Sequence, residues 1–219
     1  MENIGRLIAY LQQNSQLDSI EEILVVDGGS QDDTQGIAEA KGVRVLTCMR
    51  GRARQMNAGA RAACGEILYF IHADTYPPPD FTACILNACR EGYQAGSFRH
   101  SFDDEHSILK LTSWIVNHVP RIRFGDQSLF VVKSAFTAMD GFDESLIIME
   151  DVDFTIRLRH QFYFQILDCV VITSARKFRE NGELRLLLIF SLIYILYELR
   201  LPQPTLLGIY RRLIRQNKI

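Results

Sequence analysis

Several features that would narrow the class of this 219-residue chain are missing from it. Its most apolar segment, Leu186–Tyr197, is shorter than the about 20 residues that a membrane-spanning helix needs. The N-terminus has no basic, apolar and small-residue succession, so we expect no secretion signal. The five cysteines include no CxxC pair, which predicts reduced thiols in a cytoplasmic protein rather than disulfides or a zinc site. A net charge of −2 argues against nucleic-acid binding.

What the chain does have is the composition of a globular protein, with 47% hydrophobic and 23% charged residues. Short apolar runs such as Ile23–Val26 alternate with helical patterns, which predicts an α/β fold with a mostly parallel central sheet flanked by helices. Asp27 and Asp74 each follow such a run. Because ligands bind beyond the carboxyl ends of parallel strands, the two acids predict a site at one edge of the sheet.

The beginning of the predicted fold is unusual. The first element is an amphipathic helix over about residues 3–13, whereas a parallel α/β unit should open with a strand. We therefore expect either that the usual first strand is absent from the fold or that the true start of the protein lies upstream.

The C-terminal region differs from the rest, so we divide the chain into a body of residues 1–182 and C-terminal helices of residues 183–219. After the apolar helix, an apolar stripe lies opposite basic residues; the stripe comprises Leu206, Leu207, Tyr210, Leu213 and Ile214, and the basic residues are Arg211, Arg212, Arg215 and Lys218. This pattern is typical of a helix that lies on an anionic membrane surface. Packing on the core or on a second copy of the chain is the alternative.

The motifs "VVDGGSQDDT", "GRARQMNAGARAACGEILYFIHADT", "GDQSLFV", "DGFDE" and "MEDVDFTIRLRH" occur in an order that resembles family 2 glycosyltransferases of the GT-A fold. The resemblance covers about residues 1–181 and is closest to a short bacterial branch with a His-Ala-Asp-Thr motif. It implies inverting transfer of a sugar, expected to be a hexose, from a nucleotide-diphosphate donor to an acceptor hydroxyl or carboxylate, with a divalent cation, Mn²⁺ or Mg²⁺. By analogy it also suggests a lipid-like acceptor, such as a carotenoid acid or a polyprenyl phosphate, and a place on the inner face of the cell membrane.

The resemblance assigns the acidic residues roles that each have a structural alternative. Asp151 matches the catalytic base, with Glu150 as its neighbour, although acids also suit the start of a helix. Asp74 matches the acid that holds the metal and the diphosphate. The usual first acid of that motif is replaced by His72, which we place on the donor side as a ligand of the ion, a contact to the ribose or a support for Asp74. Asp27 matches a nucleotide-binding acid, but an Asx cap of the turn "DGGS" is equally ordinary chemistry.

Basic and amide side chains complete the predicted site. Arg52, Arg176 and Lys177 are the candidates for the donor diphosphate, because guanidinium and ammonium groups pair with phosphate oxygens. Asp126 and Gln127 match a segment on the acceptor side. Two other readings stay open: a truncated relative that binds a nucleotide or a partner without catalysis, and a nucleotidyltransferase, whose own motif is missing from the chain.

Overall fold

A computed structural model describes residues 2–14, 19–119 and 123–214, leaving out the side chains of residues 2 and 3. The helices are α1 (Glu2–Asn14), α2 (Thr34–Ala40), α3 (Arg52–Ala62), α4 (Phe81–Arg90), α5 (Ser107–His118), α6 (Lys133–Ala138), α7 (Glu150–Gln161), α8 (Arg176–Asn181), α9 (Glu183–Glu198) and α10 (Gln203–Leu213). The strands are β1 (Leu24–Asp27), β2 (Arg44–Thr47), β3 (Ile67–Phe70), β4 (Thr75–Tyr76), β5 (Ala95–Phe102), β6 (Leu129–Val132) and β7 (Phe164–Thr173).

The strands form two sheets, which confirms the α/β class but corrects the expected strand directions. β1 and β2 make a parallel pair, while the second sheet has the order β3-β6-β5-β7-β4. Of the pairs that its described strands make, only β5 and β7 run parallel, because β6 runs antiparallel to both of its neighbours and β4 antiparallel to β7. The larger sheet is therefore mixed rather than mostly parallel.

The two sheets are separated where a further strand would fit. Within the described ranges, no strand pairs with the outer edge of β1 or with the edge of β3 that faces away from β6. A cavity of about 1120 Å³ lies there, lined by Leu24–Asp27, by Ile67–Ile71 and by apolar side chains of α1. The Gln55 side chain donates a hydrogen bond of 2.8 Å to the carbonyl of Val26. Among the described residues the helix α1 comes before β1, as the sequence predicted.

The C-terminal helices pack on the rest of the protein through one apolar core. Leu186, Ile193, Leu206 and Tyr210 are buried together with Phe178 of α8. The apolar face of α10 is therefore covered by the protein itself, as in the packing alternative. Of the basic residues opposite the stripe, Arg215 and Lys218 lie outside the described residues. Among the helices described, none is long and apolar enough to cross a membrane.

The cysteines differ from the expectation of reduced thiols throughout. Cys84 of α4 and Cys169 of β7 form a disulfide, and Cys48, Cys64 and Cys89 are free. The two bonded residues are 85 positions apart. Only the packing of α4 against β7 brings them together, so no local spacing in the sequence announced the pair.

Candidate functional site

The His-Ala-Asp-Thr segment forms a tight turn between β3 and β4. The Thr75 amide donates to the carbonyl of His72 at 3.1 Å, and the Ser174 amide donates to the carbonyl of Asp74 at 3.1 Å. The hydroxyls of Thr75 and Thr173 are 2.9 Å apart in the interior. These contacts fix the backbone of Asp74, while its partly exposed side chain lines the cavity at the edge of the sheet.

The predicted acidic pair begins α7, and Asp151 lines the same cavity. Met149 precedes it with a φ of 68°, and this left-handed residue turns the chain into the helix. The Asp151 carboxylate accepts hydrogen bonds from the Gly125 amide and, at 2.8 Å, from the Val152 amide. Asp151 is therefore held in one orientation by backbone donors.

Burial changes the protonation of both acids. It raises the pKa of Glu150 to about 7, an effect to which the charge of Asp151 adds. Burial also raises the pKa of Asp151, against the opposing influence of Arg52 and of the hydrogen bonds from Gly125 and Val152. Two acids this close share their titration, so the pair takes up protons more readily than isolated carboxyls do.

Arg52 connects the donor side of the cavity to the acidic pair. It is the first residue of α3, and its Nη1 lies 3.7 Å from Oε1 of Glu150. Its side chain is half exposed. Partial removal of water from around the guanidinium opposes its positive charge. The negative charges of Glu150, Asp151 and Asp74 outweigh this effect and raise its pKa. Arg54, by contrast, lies 3.9 Å from Glu144 and does not line the cavity, whereas Arg52 does. The role of Arg52 toward a diphosphate stays a prediction.

His72 lies in the middle of the site and is uncharged. Burial, followed by the charges of Arg52 and Lys177, lowers its pKa to about 3. Its ring packs against Gly125, where an added Cβ would collide with the imidazole and lie 3.1 Å from Asp151. Gly125 is thus a site residue to which the sequence alone assigned no role, because a glycine has no side chain whose chemistry could indicate one.

The two predicted cations of α8 differ in their surroundings. Arg176 lines the cavity, and its Nε lies 3.9 Å from Glu180 one helical turn later. The Nζ of Lys177 donates a hydrogen bond to the hydroxyl of Tyr210 and lies 5.5 Å from the centre of the Phe190 ring. The C-terminal helices therefore contact the donor side, a relationship for which the sequence offered no pattern.

Asp27 is the cap that its local sequence allowed. Its buried carboxylate accepts hydrogen bonds from the amides of Gly29 and Ser30, from the Ser30 hydroxyl and, at 2.7 Å, from Gln35. Although burial opposes the charge, these bonds lower the pKa of Asp27. A carboxylate has about four acceptor positions, so the turn already occupies them. Asp27 lines the cavity, and its role toward a nucleotide stays a prediction.

The predicted acceptor side separates into an accessible residue and a buried one. Asp126 keeps its side chain 33% exposed, with one oxygen 3.6 Å from Nε2 of His100. Gln127 is completely buried and accepts a hydrogen bond of 2.5 Å from Arg123. The prediction that Gln127 faces an acceptor is therefore wrong. Gln127 is the last residue of the short 3-10 helix Gly125–Gln127, and its side chain lies in the protein interior.

The donor set at Asp74 fits a cation that is shared with a diphosphate. Among the described residues, no group of three or more His, Cys, Asp or Glu side chains could hold a metal ion. Asp74 supplies one carboxylate, and the neutral imidazole of His72 lies in the same turn. Mg²⁺ and Mn²⁺ commonly bind through one or two carboxylates together with substrate phosphates and water, so these residues suit such an ion only with the donor present.

The fold is that of the GT-A glycosyltransferases. The model of the family described as Glycosyl transferase family 2 matches residues 2–144, and the protein belongs to this family. The matched range ends before Glu150 and Asp151, whose roles therefore depend on the geometry. A search of the curated proteins found no match.

Solved structures share the fold at low sequence identity. A mannosyltransferase from Pyrobaculum calidifontis, in complex with GDP-Man and Mn²⁺, is 17% identical with a TM-score of 0.62, over 78% of this chain and 52% of that one. S. aureus TarS 1-349 is 16% identical with a TM-score of 0.59, over 80% and 58%. Glucosyl-3-phosphoglycerate synthase from Mycobacterium tuberculosis, with Mn²⁺, UDP and glucosyl-3-phosphoglycerate, is 20% identical with a TM-score of 0.53, over 79% and 66%. This chain thus spans about half to two thirds of their lengths.

Proposed function

We propose that this protein is an inverting glycosyltransferase that moves a hexose from a nucleoside-diphosphate donor to an acceptor hydroxyl or carboxylate, with Asp151 as the base when the acceptor is a hydroxyl. One observation carries the proposal. The Asp151 carboxylate is partly buried, accepts a hydrogen bond from the Gly125 amide, and lines the same cavity as Asp74 and Arg52. A base with a raised pKa beside a diphosphate-binding corner is the arrangement that inversion requires.

The proposed reaction has one bond-forming and one bond-breaking event at the anomeric carbon. The acceptor oxygen attacks this carbon opposite the diphosphate, and Asp151 takes the proton of the acceptor hydroxyl. The bond between the carbon and the diphosphate oxygen breaks with its electron pair, so a nucleoside diphosphate leaves. Glu150 stays beside the base, and its own high pKa keeps a second negative charge from accumulating there.

The donor side stabilises the charge that develops on the leaving diphosphate. Arg52, Arg176 and Lys177 supply positive charge around it, while the uncharged His72 orients the turn that carries Asp74. A divalent cation held by Asp74 and the phosphates would act as a Lewis acid for the departing group. The Mn²⁺ named in two of the similar structures supports this part of the proposal.

For the acceptor we propose a lipid-like molecule with its hydroxyl or carboxylate near Asp126. Support comes from α9 and the residue that follows it, which expose a stripe of apolar side chains, namely Leu184, Leu188, Leu192, Ile195 and Leu199. Such a surface suits peripheral contact with a membrane, where carotenoid acids and polyprenyl phosphates are found, or contact with a second copy of the chain. A cytoplasmic place at the inner membrane face follows as part of the same proposal.

The competing candidate is a relative that binds a nucleotide without turnover. The observation that favours it is the gap between β1 and β3, since two unpaired strand edges flank the cavity near Asp27. A protein with this gap could bind a donor loosely and hold it out of line for attack.

One experiment separates the two candidates. The full chain is titrated with UDP-sugars and GDP-sugars in the presence of Mn²⁺ or Mg²⁺. Thermal stabilisation measures binding, and release of the nucleoside diphosphate measures donor hydrolysis. We expect stabilisation and hydrolysis with at least one donor. Asp151→Asn should keep the stabilisation and lower hydrolysis about 100-fold or more, as for loss of a general base. Asp74→Asn should weaken the stabilisation by the cation-donor pair.

The matched control is Asp153→Asn, which removes a carboxylate two positions further along α7, where it pairs with Arg157. It should leave hydrolysis within about twofold of the unmodified protein, since Asp153 does not line the cavity. Stabilisation without any hydrolysis would favour the non-catalytic candidate, and full activity of Asp151→Asn would refute the assigned base.

A further inference from the structure

The first residue of α10 is bonded to the segment that leads into the acidic pair. Oε1 of Gln203 accepts hydrogen bonds from the amides of Ile147 at 3.0 Å and Ile148 at 3.2 Å. Met149 follows with its left-handed backbone, and Glu150 then begins α7. A side-chain amide therefore holds the backbone two residues before the acids whose placement the reaction needs.

Two turns further along the same helix, Tyr210 holds a cation of the donor side. Its hydroxyl accepts a hydrogen bond from Nζ of Lys177, and the same nitrogen lies 5.1 Å from the centre of the Tyr210 ring. The Phe190 ring lies 5.5 Å away. An ammonium group has three donors, so a single hydroxyl leaves others for a phosphate oxygen. The two aromatic rings restrict where the ammonium group can point.

The helix that carries Gln203 and Tyr210 is itself firmly placed. Leu206 is completely buried on its inner face, and Tyr210 is only 7% exposed. At the end of α10, Nη2 of Arg185 donates a hydrogen bond of 2.7 Å to the carbonyl of Leu213. Residues seven positions apart lie on one side of a helix, so Gln203 and Tyr210 both face the body of the protein.

We propose that α10 is a brace for the catalytic site, in which Gln203 positions the segment before the base and Tyr210 positions Lys177 for the donor diphosphate. Both are positioning residues, since each acts through another group. The proposal depends on the proposed function for what is positioned, and it assigns the C-terminal helices a task within the site. A helix that only covered the core would need apolar contacts, whereas these two polar side chains end on groups of the site.

Two single substitutions test the two ends of the brace separately. Tyr210→Phe keeps the ring and removes the hydroxyl, so we expect the Kd for UDP or GDP with Mn²⁺ to rise about tenfold, with kcat changed less than about twofold, because a charge-assisted hydrogen bond is lost from the donor side. Gln203→Ala should leave this Kd unchanged and lower kcat about tenfold or more, because the base is displaced. Isothermal titration calorimetry and steady-state hydrolysis measure the two quantities.

Matched controls carry the same chemical changes away from the site. Tyr163→Phe alters a tyrosine that is 74% exposed, and Gln12→Ala removes a surface glutamine that donates to the carbonyl of Lys41. Both should behave like the unmodified protein in binding and hydrolysis. If each of the two variants, Tyr210→Phe and Gln203→Ala, lowered donor affinity and kcat by the same factor, α10 would have only a packing role.

A readout that needs no ligand keeps the brace testable if the donor proposal fails. Amide hydrogen exchange in residues 174–182 should accelerate in Tyr210→Phe, and exchange in residues 146–152 should accelerate in Gln203→Ala, with the other segment unchanged in each variant. Unchanged exchange in both segments overturns the brace even if the protein binds nucleotides. Absence of nucleotide binding by the unmodified protein, with the segment-specific exchange present, refutes the proposed function and leaves the brace standing.

Discussion

The amide of Gly125 donates a hydrogen bond to the carboxylate of Asp151 across 26 residues of sequence. On its other side Gly125 is in contact with the imidazole of His72, which leaves no room for a side chain. Gly125 therefore positions both Asp151, which we propose as the base, and His72 of the turn between β3 and β4.

We predict that Gly125→Ala strongly impairs activity. A methyl group here must displace His72 or Asp151, and displacements of about 1 Å can cost about 100-fold in rate. Nucleoside-diphosphate release, measured beside the melting temperature, checks this. Gly208→Ala is the control, because a Cβ at that helical position meets nothing within 4 Å. It should retain activity and gain a little stability; equal activity of the two variants would contradict the prediction.

The stability of the protein should fall as the pH rises from about 4.5 to 7. Burial raises the pKa of Glu150 from 4.5 to about 7, so in this window the folded protein binds a proton that the unfolded chain releases. Glu150→Gln should flatten this slope and raise the free energy of unfolding at pH 8 by on the order of 2 kcal/mol. Denaturant unfolding at several pH values measures it.

The control for this prediction is Glu105→Gln, because the Glu105 side chain is 93% exposed. It should leave the pH dependence as in the unmodified protein. A Glu150→Gln variant that loses stability at pH 8 would show that the ion pair with Arg52 outweighs the burial of the acid.

The Cys84–Cys169 disulfide should stabilise the protein measurably. It closes a loop of 85 residues, and the loss of disorder in the unfolded chain is typically worth about 2–4 kcal/mol. Mass spectrometry of a non-reduced digest should find the linked peptides, and Cys84→Ser should lower the free energy of unfolding by this amount. Cys64→Ser, at an exposed free thiol, should change it by less than about 0.5 kcal/mol.

The exposed stripe on α9 should bind either an anionic membrane surface or a second copy of the protein. Leu188 is 61% exposed and lies near the middle of this stripe. Leu188→Glu introduces a charge there and should weaken either association about tenfold or more. Flotation with phosphatidylglycerol vesicles and sedimentation velocity distinguish the two partners. Tyr163→Glu, on a different exposed surface, is the control. If the unmodified protein is monomeric and does not bind the vesicles, both associations are refuted.

The sequence by itself determined those features that depend on neighbouring residues. The alternation of apolar runs and helical patterns predicted the α/β class, and the ends of those runs located Asp27 and Asp74 beside the cavity. The motif order predicted the family that the family model confirms. Local pattern was sufficient here because strand ends, turns and helix starts are governed by contacts between residues close in sequence.

Only the tertiary structure decided which distant groups meet. It joined Cys84 to Cys169, inserted β6 between β3 and β5 in the opposite direction, and buried Gln127 behind the site. It also brought Tyr210 to Lys177. Each of these depends on how helices and strands far apart in the chain pack together, and the burial that raises the pKa values of Glu150 and Asp151 follows from the same packing.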